Sequence, residues 1–462
     1  MIRTKTEPLA WATAVSGLGA VVLGASAGVA STAFGPIGGI VILSAVGFAV
    51  ALVAMPLRVL PSFALLVYVF LPQQLVGLGG VYAGASPAAV VLGVWAVRKL
   101  MKRMAGGGAA ASWTVLGARS CLGALLAWGI VLFHGAESAV APADVSIRWL
   151  VSFGLAVVLP SLVLDYEDEL LTLWRVLPVV TLISAAYAVA EFVLNYNVIY
   201  SPLYEALGRP LAGSSGVYRS HGSFGHPLYA STFFAVSFAV AFGRWFSGAS
   251  GSILWMASSL AGLLVTVSRG GLVAASAGAL VVLLAAAVRG DGRMGKYLRA
   301  GAVLTAGSLG VLSVGLIQQR TRTGEAATSS EVRERVYPLA LDLAELTGWR
   351  GAGAGASDVL VLHYTNQAYP LENSYLQMLV SLGGIGLVTY IGFLVVSGTH
   401  AVRARNWIAL AGFVAFAVSV YGYNALETVL PMHVLLGLLT LAALAPGARA
   451  DKRRFASRSE KW

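Results

Sequence analysis

Apolar stretches close to 20 residues long recur from one end of this chain to the other, and they leave few folds open. The hydrocarbon core of a bilayer is about 30 Å thick, and a helix needs roughly 20 apolar residues to cross it. Fourteen candidate spans lie near residues 9–32, 37–55, 59–77, 85–101, 115–133, 147–164, 173–195, 227–245, 252–268, 270–288, 299–317, 373–398, 407–425 and 430–446. These segments are too long and too uniformly apolar to be strands of a membrane barrel. The expected fold is therefore an all-α polytopic membrane protein with about 12–14 transmembrane helices. Charge agrees: only 11% of the 462 residues are charged, where a soluble domain carries about 25%. The N-terminus, Met1 to Glu7, is short and basic and leads into an apolar run over Leu9 to Thr32. That run is longer than the roughly 7–15 residues of a cleavable leader, so it reads as an uncleaved first span. A single cysteine, Cys121, inside an apolar segment, rules out an intrachain disulfide and reads as a small core residue.

Positive charge orients the spans. With the N-terminus in the cytosol, Arg98, Lys99, Lys102, Arg103 and Arg119 fall inside. So do Arg289, Arg293, Lys296 and Arg299, then Arg403 and Arg405, and the tail from Arg449 to Lys461. All 6 lysines then lie inside, and the 31 basic residues divide 22 inside to 9 outside. The outer nine are Arg148, Arg209, Arg219, Arg269, Arg320, Arg322, Arg333, Arg335 and Arg350, with no lysine among them. Lysine is a compact point charge, whereas the planar guanidinium grips phosphate oxygens two at a time. A face built this way suits a lipid diphosphate. A nucleic-acid partner is excluded, because the basic residues are scattered over short loops instead of forming one face.

Two outer connections are long: 196–226 and 318–372. Connections of that length are functional or disordered more often than they are plain linkers. In the second, Val336, Leu339, Leu343 and Leu346 share one helical face, and Ser330 is a candidate N-cap. Such a helix is expected to lie on the outer membrane surface with its arginines turned inward. The glycine-alanine run Gly351 to Ser357 permits a tight turn. No internal repeat marks a transporter built from two related halves. The expected division is N-terminal helices over 1–180, a central region over 181–400 that holds both long loops, and C-terminal helices with a basic tail over 401–462.

Three outer elements carry candidate chemistry. They are the string R-S-H-G-S-F-G-H-P at Arg219 to Pro227, the turn S-R-G-G at Ser268 to Gly271, and the long loop that ends in Glu372-Asn373-Ser374-Tyr375. Arg269 sits between two apolar spans with almost no loop, where an ionisable residue is expensive and functional more often than not. Its plainer reading is snorkelling to the headgroups. Arg219 reads as an anion ligand or as a loop arginine paired with Glu205. His221 and His226, five residues apart, do not make a metal site alone, and a histidine beside proline at a helix start is more often a hydrogen-bonded packing residue. His363 reads as solvated. Glu372, at a helix N-terminus that favours its ionised form, is placed to accept a proton, or else to cap or pair. Glu191, Glu427 and His433 lie near the outer ends of other spans and read as plain interfacial residues more readily than as partners that support the site residues.

At these residues the chain resembles the O-antigen ligase / O-antigen polymerase superfamily of bacterial membrane glycosyltransferases. The resemblance covers roughly 180–400 and rests on the 219–227 string, the 268–271 turn, the long loop, and N-S-Y-L-Q-M-L-V-S-L-G-G-I-G-L over Asn373 to Leu387. It implies a GT-C-like protein of the bacterial cytoplasmic membrane, with both termini cytosolic and the active site extracytoplasmic. The donor would be an undecaprenyl-diphosphate-linked glycan and the acceptor a lipid or glycan hydroxyl, with inversion and with no metal or other cofactor. Arg219, Arg269 and Arg333 map onto arginines that hold the diphosphate, with Arg335 second to Arg333. Glu372 stands where ligases commonly place a histidine, which is more in keeping with polymerase-like members, and it would be the base. Leu228 stands where many members have asparagine. His221, His226, Asn373 and Tyr337 would line the substrate. The rival from another class is a lipid-linked oligosaccharide transporter or flippase.

Overall fold

The computed structural model describes residues 47–48, 50–72, 86–104, 112–135, 143–206, 208, 211, 217–247, 249, 251–288, 324–367 and 370–445. The chain divides into two compact units, 1–60 and 61–462. Of the first, the described part is a short helix ending at Ala54 and a 3-10 turn, Leu57–Val59. The helices are α1 (Leu60–Phe70), α2 (Pro87–Met104), α3 (Trp113–Gly135), α4 (Ala143–Leu162), α5 (Glu167–Leu194), α6 (Tyr200–Ala206), α7 (Pro227–Phe246), α8 (Ser252–Val265) and α9 (Arg269–Val288). They continue as α10 (Gly324–Leu346), α11 (Ser357–Thr365), α12 (Ser374–Arg403), α13 (Trp407–Ser419) and α14 (Met432–Leu444). No strand occurs among the described residues. Of these, α3, α4, α5 and α12 are long and apolar enough to cross a membrane by length and composition. The protein is an all-α polytopic membrane protein. The expected spans at 9–32 and 299–317 lie outside the described residues.

α7 is the centre of the site-bearing bundle, buried continuously from Ala230 to Gly243 and packed by α8, α9 and α13. In a bilayer helices gain little from hydrophobic burial, so close van der Waals approach decides packing, and small residues permit it. A Cβ on Gly262 would come within 2.6 Å of the Phe234 ring. One on Gly278 would lie 2.6 Å from both the Ala239 Cβ and the Ala411 carbonyl. α4 carries a π turn at Gly154–Val158, where α14 presses so close that a Cβ on Gly437 would lie 1.8 Å from the Ala156 carbonyl.

The polar contacts sort the helix ends onto two faces. On one, Lys99 at the end of α2 pairs with Glu169 at the start of α5. On the same face Arg119 of α3 donates to the Ser161 and Val163 carbonyls at 2.6 and 2.8 Å. Thr114 meets His400 of α12 at 2.7 Å there. The starts of α7, α9 and α12 lie at the other face, the mouth.

The long connection departs from expectation. α10 begins at Gly324, so Ser330 lies inside it and is not its N-cap. Val336, Ala340 and Leu343 are buried, Leu339 is half-buried, and Leu346 is 61% exposed, which removes it from the apolar face. That face does not simply rest on a surface. It builds a core with Ala352, Ala356, Leu360, Val361, Leu371 and Val380 from the glycine run, α11 and α12.

α12, expected as one continuous span, breaks at Gly383 (φ 70°, ψ −172°). Into the break comes the glycine run, with Gly351, Gly353 and Gly355 all at positive φ. Ala352 and Gly353 donate to the Val380 and Ser381 carbonyls at 3.0 Å each, and Gly384 donates to the Trp349 carbonyl at 2.9 Å. Trp128 of α3 takes the Leu382 carbonyl at 2.8 Å. Backbone freed by a break at membrane depth must find partners in the protein, and the loop and Trp128 supply them.

Candidate active site at the mouth of the bundle

The string 219–227 is built on one carboxylate. Glu191, near the end of α5 and 1% exposed, accepts from Tyr218 OH (2.9 Å), Ser220 Oγ (2.8 Å), His221 N (3.0 Å) and Gly222 N (2.7 Å). Its Oε1 is also 3.3 Å from His221 Nδ1. A second attachment ties the string to the end of α8. Ser220 N donates to the Val265 carbonyl at 3.0 Å, and Arg219 Nε donates to the Thr266 carbonyl at 3.1 Å. Arg219 is 9% exposed and so is held in the wall of the mouth.

The turn that holds Arg219 is the S-R-G-G turn. Val267 adopts φ +49°, and Ser268 Oγ receives Gly271 N at 3.2 Å as the first turn of α9 forms. The two glycines differ in role. A Cβ on Gly271 would lie 2.7 Å from Leu263 and 3.0 Å from Ser231, so that position allows close helix packing. Gly270 faces open space. Arg269 is exposed and forms no hydrogen bond or ion pair with the described residues. It stands at the first position of α9, where unpaired N–H groups and the helix dipole already favour an anion. A cation there works against helix stability.

His226 caps α7: its Nδ1 accepts from Leu228 N at 3.2 Å, and its ring lies 4.8 Å from Tyr229. Burial first, then the charges of Arg219 and His221, push it down to about 4. It is therefore neutral near pH 7 and carries its proton on Nε2. Tyr229 stacks on Tyr423 at 5.9 Å, which links the start of α7 to the 423–431 loop.

α12 begins with Asn373, whose Oδ1 accepts from Tyr375 N (2.9 Å) and Leu376 N (3.3 Å). Its Nδ2 donates to Tyr337 OH at 3.3 Å, and that phenol also meets Tyr421 OH. Ser374 Oγ donates to the Tyr423 carbonyl (2.9 Å) and accepts from Ala425 N (2.8 Å), fixing the 423–431 loop. His433, fully buried, lies 2.9 Å from the Leu426 carbonyl and 3.0 Å from Ser152 Oγ. Trp149 Nε1 donates to the same carbonyl at 3.0 Å. The loop so held carries Glu427. Its Oε2 accepts from Ser357 Oγ (2.6 Å), Ser357 N (3.3 Å) and Ser381 Oγ (2.8 Å), joining the glycine run to the broken helix. Burial pushes this carboxyl up to about 8, with the charge of Asp358 adding to the rise.

The mouth thus brings together Arg219, His221, His226 and the turn carrying Arg269, and separately joins Asn373 to Tyr337. Arg335 is exposed and Glu372 half-exposed. Arg333 lies on α10, with its side chain outside the described residues. His363 is exposed, as its loop position suggested. Of the two readings of Glu191, Glu427 and His433, the interfacial one fails: all three are buried hydrogen-bonding hubs. Their signal was an ionisable residue within an apolar stretch, read too lightly at these positions. Among the described residues no three His, Cys, Asp or Glu side chains gather to hold a metal ion.

No curated protein matches the chain. Residues 254–391 match the family model described as O-antigen ligase. This match runs from α8 through the S-R-G-G turn, α9 and the long connection to the broken helix α12. Over that part the chain is similar to the O-antigen ligase family, which supports the O-antigen ligase / O-antigen polymerase superfamily.

Proposed function

We propose that this protein transfers or polymerises an undecaprenyl-diphosphate-linked oligosaccharide at the extracytoplasmic face of the bacterial cytoplasmic membrane. One observation carries the reading. An arginine without a partner among the described residues stands on the start of α9 beside an open glycine, and the turn before it holds a second arginine in the wall. Two guanidinium groups with the first N–H groups of a helix form a receptor for a diphosphate. The distribution of lysine supports the orientation: Lys99 and Lys102 lie at the face opposite Arg219 and Arg269.

The acceptor hydroxyl attacks the anomeric carbon from the side opposite the diphosphate. A new glycosidic C–O bond forms as the C–O bond to the diphosphate breaks. The hydroxyl proton passes to Glu372, and undecaprenyl diphosphate departs as the anion. Because that leaving group is already good, catalysis needs orientation and charge stabilisation above all. Arg219, Arg269 and Arg333 supply the charge without a metal ion, Arg335 assists at the rim, and His226 offers an Nε2–H. Asn373 and Tyr337 shape the acceptor side.

The test is purified full-length protein given only undecaprenyl-diphosphate-linked repeat units. Longer glycans identify a polymerase, and transfer that needs a second acceptor identifies a ligase. No covalent change in either case refutes the proposal and favours a transporter. Glu372→Gln retains donor-lipid binding and loses transfer; full activity in that variant removes Glu372 as the base.

A further inference from the structure

Two buried acceptor atoms at the mouth have no hydrogen-bond donor within bonding distance among the described residues: Asp358 Oδ1 and Gln377 Oε1. They belong to one cluster. Ser357 binds Glu427, and the next residue in each segment, Asp358 and Thr428, are themselves joined, with Thr428 Oγ1 donating to Asp358 Oδ2 at 2.9 Å. Gln377 is fully buried, lies against Asp358, and its Nε2 meets Thr428 Oγ1 at 3.4 Å, which aims the amide into the cluster. Asn424 Nδ2 donates to the same hydroxyl at 3.1 Å. Glu427 is 8% exposed and forms the floor, while Thr428 is exposed and forms the rim.

Buried acceptors are almost always satisfied in folded proteins, so two left over side by side call for a ligand rich in donors. The position of the cluster narrows the choice. Asn424 follows Tyr423, which stacks on Tyr229 at 5.9 Å, and the Tyr229 ring lies 4.8 Å from that of His226, at the end of the string that begins with Arg219. The cluster and the arginine wall therefore flank the histidine–tyrosine pair. The half-buried Tyr229 and the exposed Tyr421 add aromatic surface, which suits the C–H faces of a sugar ring.

We propose that the cluster of Asp358, Gln377, Asn424 and Thr428 is a subsite for the acceptor glycan, in which Asp358 and Gln377 accept hydrogen bonds from its sugar hydroxyls. This rests on the transferase reading above and deepens it. Asp358 binds the acceptor and does not take the proton. Its loss should therefore change acceptor affinity and not the rate at saturation, which separates it from Glu372.

The experiment uses full-length protein in nanodiscs, with repeat-unit oligosaccharide released from its lipid carrier by mild acid as the varied acceptor probe. Losing a hydrogen bond to a charged group is a tenfold effect or more. Asp358→Asn should raise the KM for this probe about tenfold, leave kcat within about threefold, and leave donor-lipid binding unchanged. Thr428→Val, at the exposed rim, should raise the same KM about threefold and serves if the first variant fails to fold. An unchanged KM in either folded variant overturns the subsite. So does lost donor-lipid binding, which would assign the cluster to the donor. Calcium or magnesium bound by wild type and lost in Asp358→Asn would make the cluster a cation site and also overturn it. Absence of any transfer by wild type overturns this inference together with the transferase reading, whereas transfer with an unmoved acceptor KM overturns the inference alone.

Discussion

Glu191→Gln tests whether the arginine wall depends on a single carboxylate. Four donors converge on Glu191: two hydroxyls, from Tyr218 and Ser220, and two main-chain N–H groups, from His221 and Gly222. In the glutamine variant one oxygen becomes an NH2 group. A hydroxyl can rotate and accept from it, but a main-chain N–H cannot. His221 N faces Oε1 and Gly222 N faces Oε2, so either orientation of the amide leaves one buried N–H opposite a donor. An unsatisfied buried donor costs about 1–3 kcal/mol, and a central value of about 2 kcal/mol raises the opening constant of the loop roughly 30-fold. Hydrogen exchange followed by mass spectrometry over 217–226 should show that acceleration, with α7 and α13 unchanged. Because Ser220 and Arg219 attach the same segment to the end of α8, transfer should fall at least tenfold along with it. If exchange over 217–226 stays at the wild-type rate while activity is intact, the carboxylate does not organise the wall and the reasoning fails. A fall in overall thermal stability without local acceleration would refute it equally, by reducing Glu191 to a packing residue.

Arg269→Lys keeps the charge but loses the fork, so transfer should fall by about tenfold or more in the purified assay while helix content by circular dichroism is unchanged. Gly383→Ala puts a Cβ 2.3 Å from the Trp349 carbonyl at φ +70°, which should destabilise by about 3 kcal/mol; Gly384→Ala, 3.9 Å from the same carbonyl, should be close to neutral, and thermal unfolding of the pair checks the difference. Glu427 should give wild type a pH dependence that Glu427→Gln lacks. Its folded value of about 8 lies above the ordinary 4.5, so within that window the folded chain holds a proton that the unfolded chain releases. This group's contribution is full below pH 4.5 and is lost as pH rises through 8, so the Tm of wild type should fall relative to that of the variant across pH 5–8.

Fold class was legible because it depends on a long-period signal, span length; the separation of lysine from arginine is the signal behind the expected face of the site. Arg219 and Arg269 stood out for a related reason, as charges in segments that otherwise avoid them. The internal supports were not legible. Glu191 and Glu427 look like interfacial carboxylates in sequence, because their donors come from residues 27–31 and 46–70 positions away. The break in α12 was also hidden. Gly383 sits in an apolar helical pattern, and the partner that satisfies its freed backbone is a glycine run about 30 residues earlier. Ser330 misled because a good N-cap residue is only a local preference, and burial of Val336, Ala340 and Leu343 allows α10 to extend past it.

A broken helix lined with buried carboxyls is also what a transporter would need, so α12 bears on the rival reading. Transporter sites form where two related halves each contribute an interrupted helix around a central cavity, and alternating access requires one half to move against the other. Here the break in α12 is filled from its own side by the glycine run. Main-chain bonds at 2.9–3.0 Å and the Glu427–Ser357–Ser381 contacts knit that run to the broken helix. The same segment belongs to a hydrophobic core with α10 and α11. Opening a path through the break would unmake that core and those bonds together. These contacts predict a fixed floor under the mouth, one that keeps Asp358 and Glu427 in place relative to the starts of α7 and α12. A reaction whose barrier is lowered chiefly by orientation gains from such rigidity, whereas a carrier would lose by it. Cross-linking provides the discriminating measurement. A disulfide placed between Ala352 and Val380, in a background with Cys121 replaced by Ser, should leave transfer intact if the floor is static. Loss of function on oxidation, restored by reduction, would show that the floor must move.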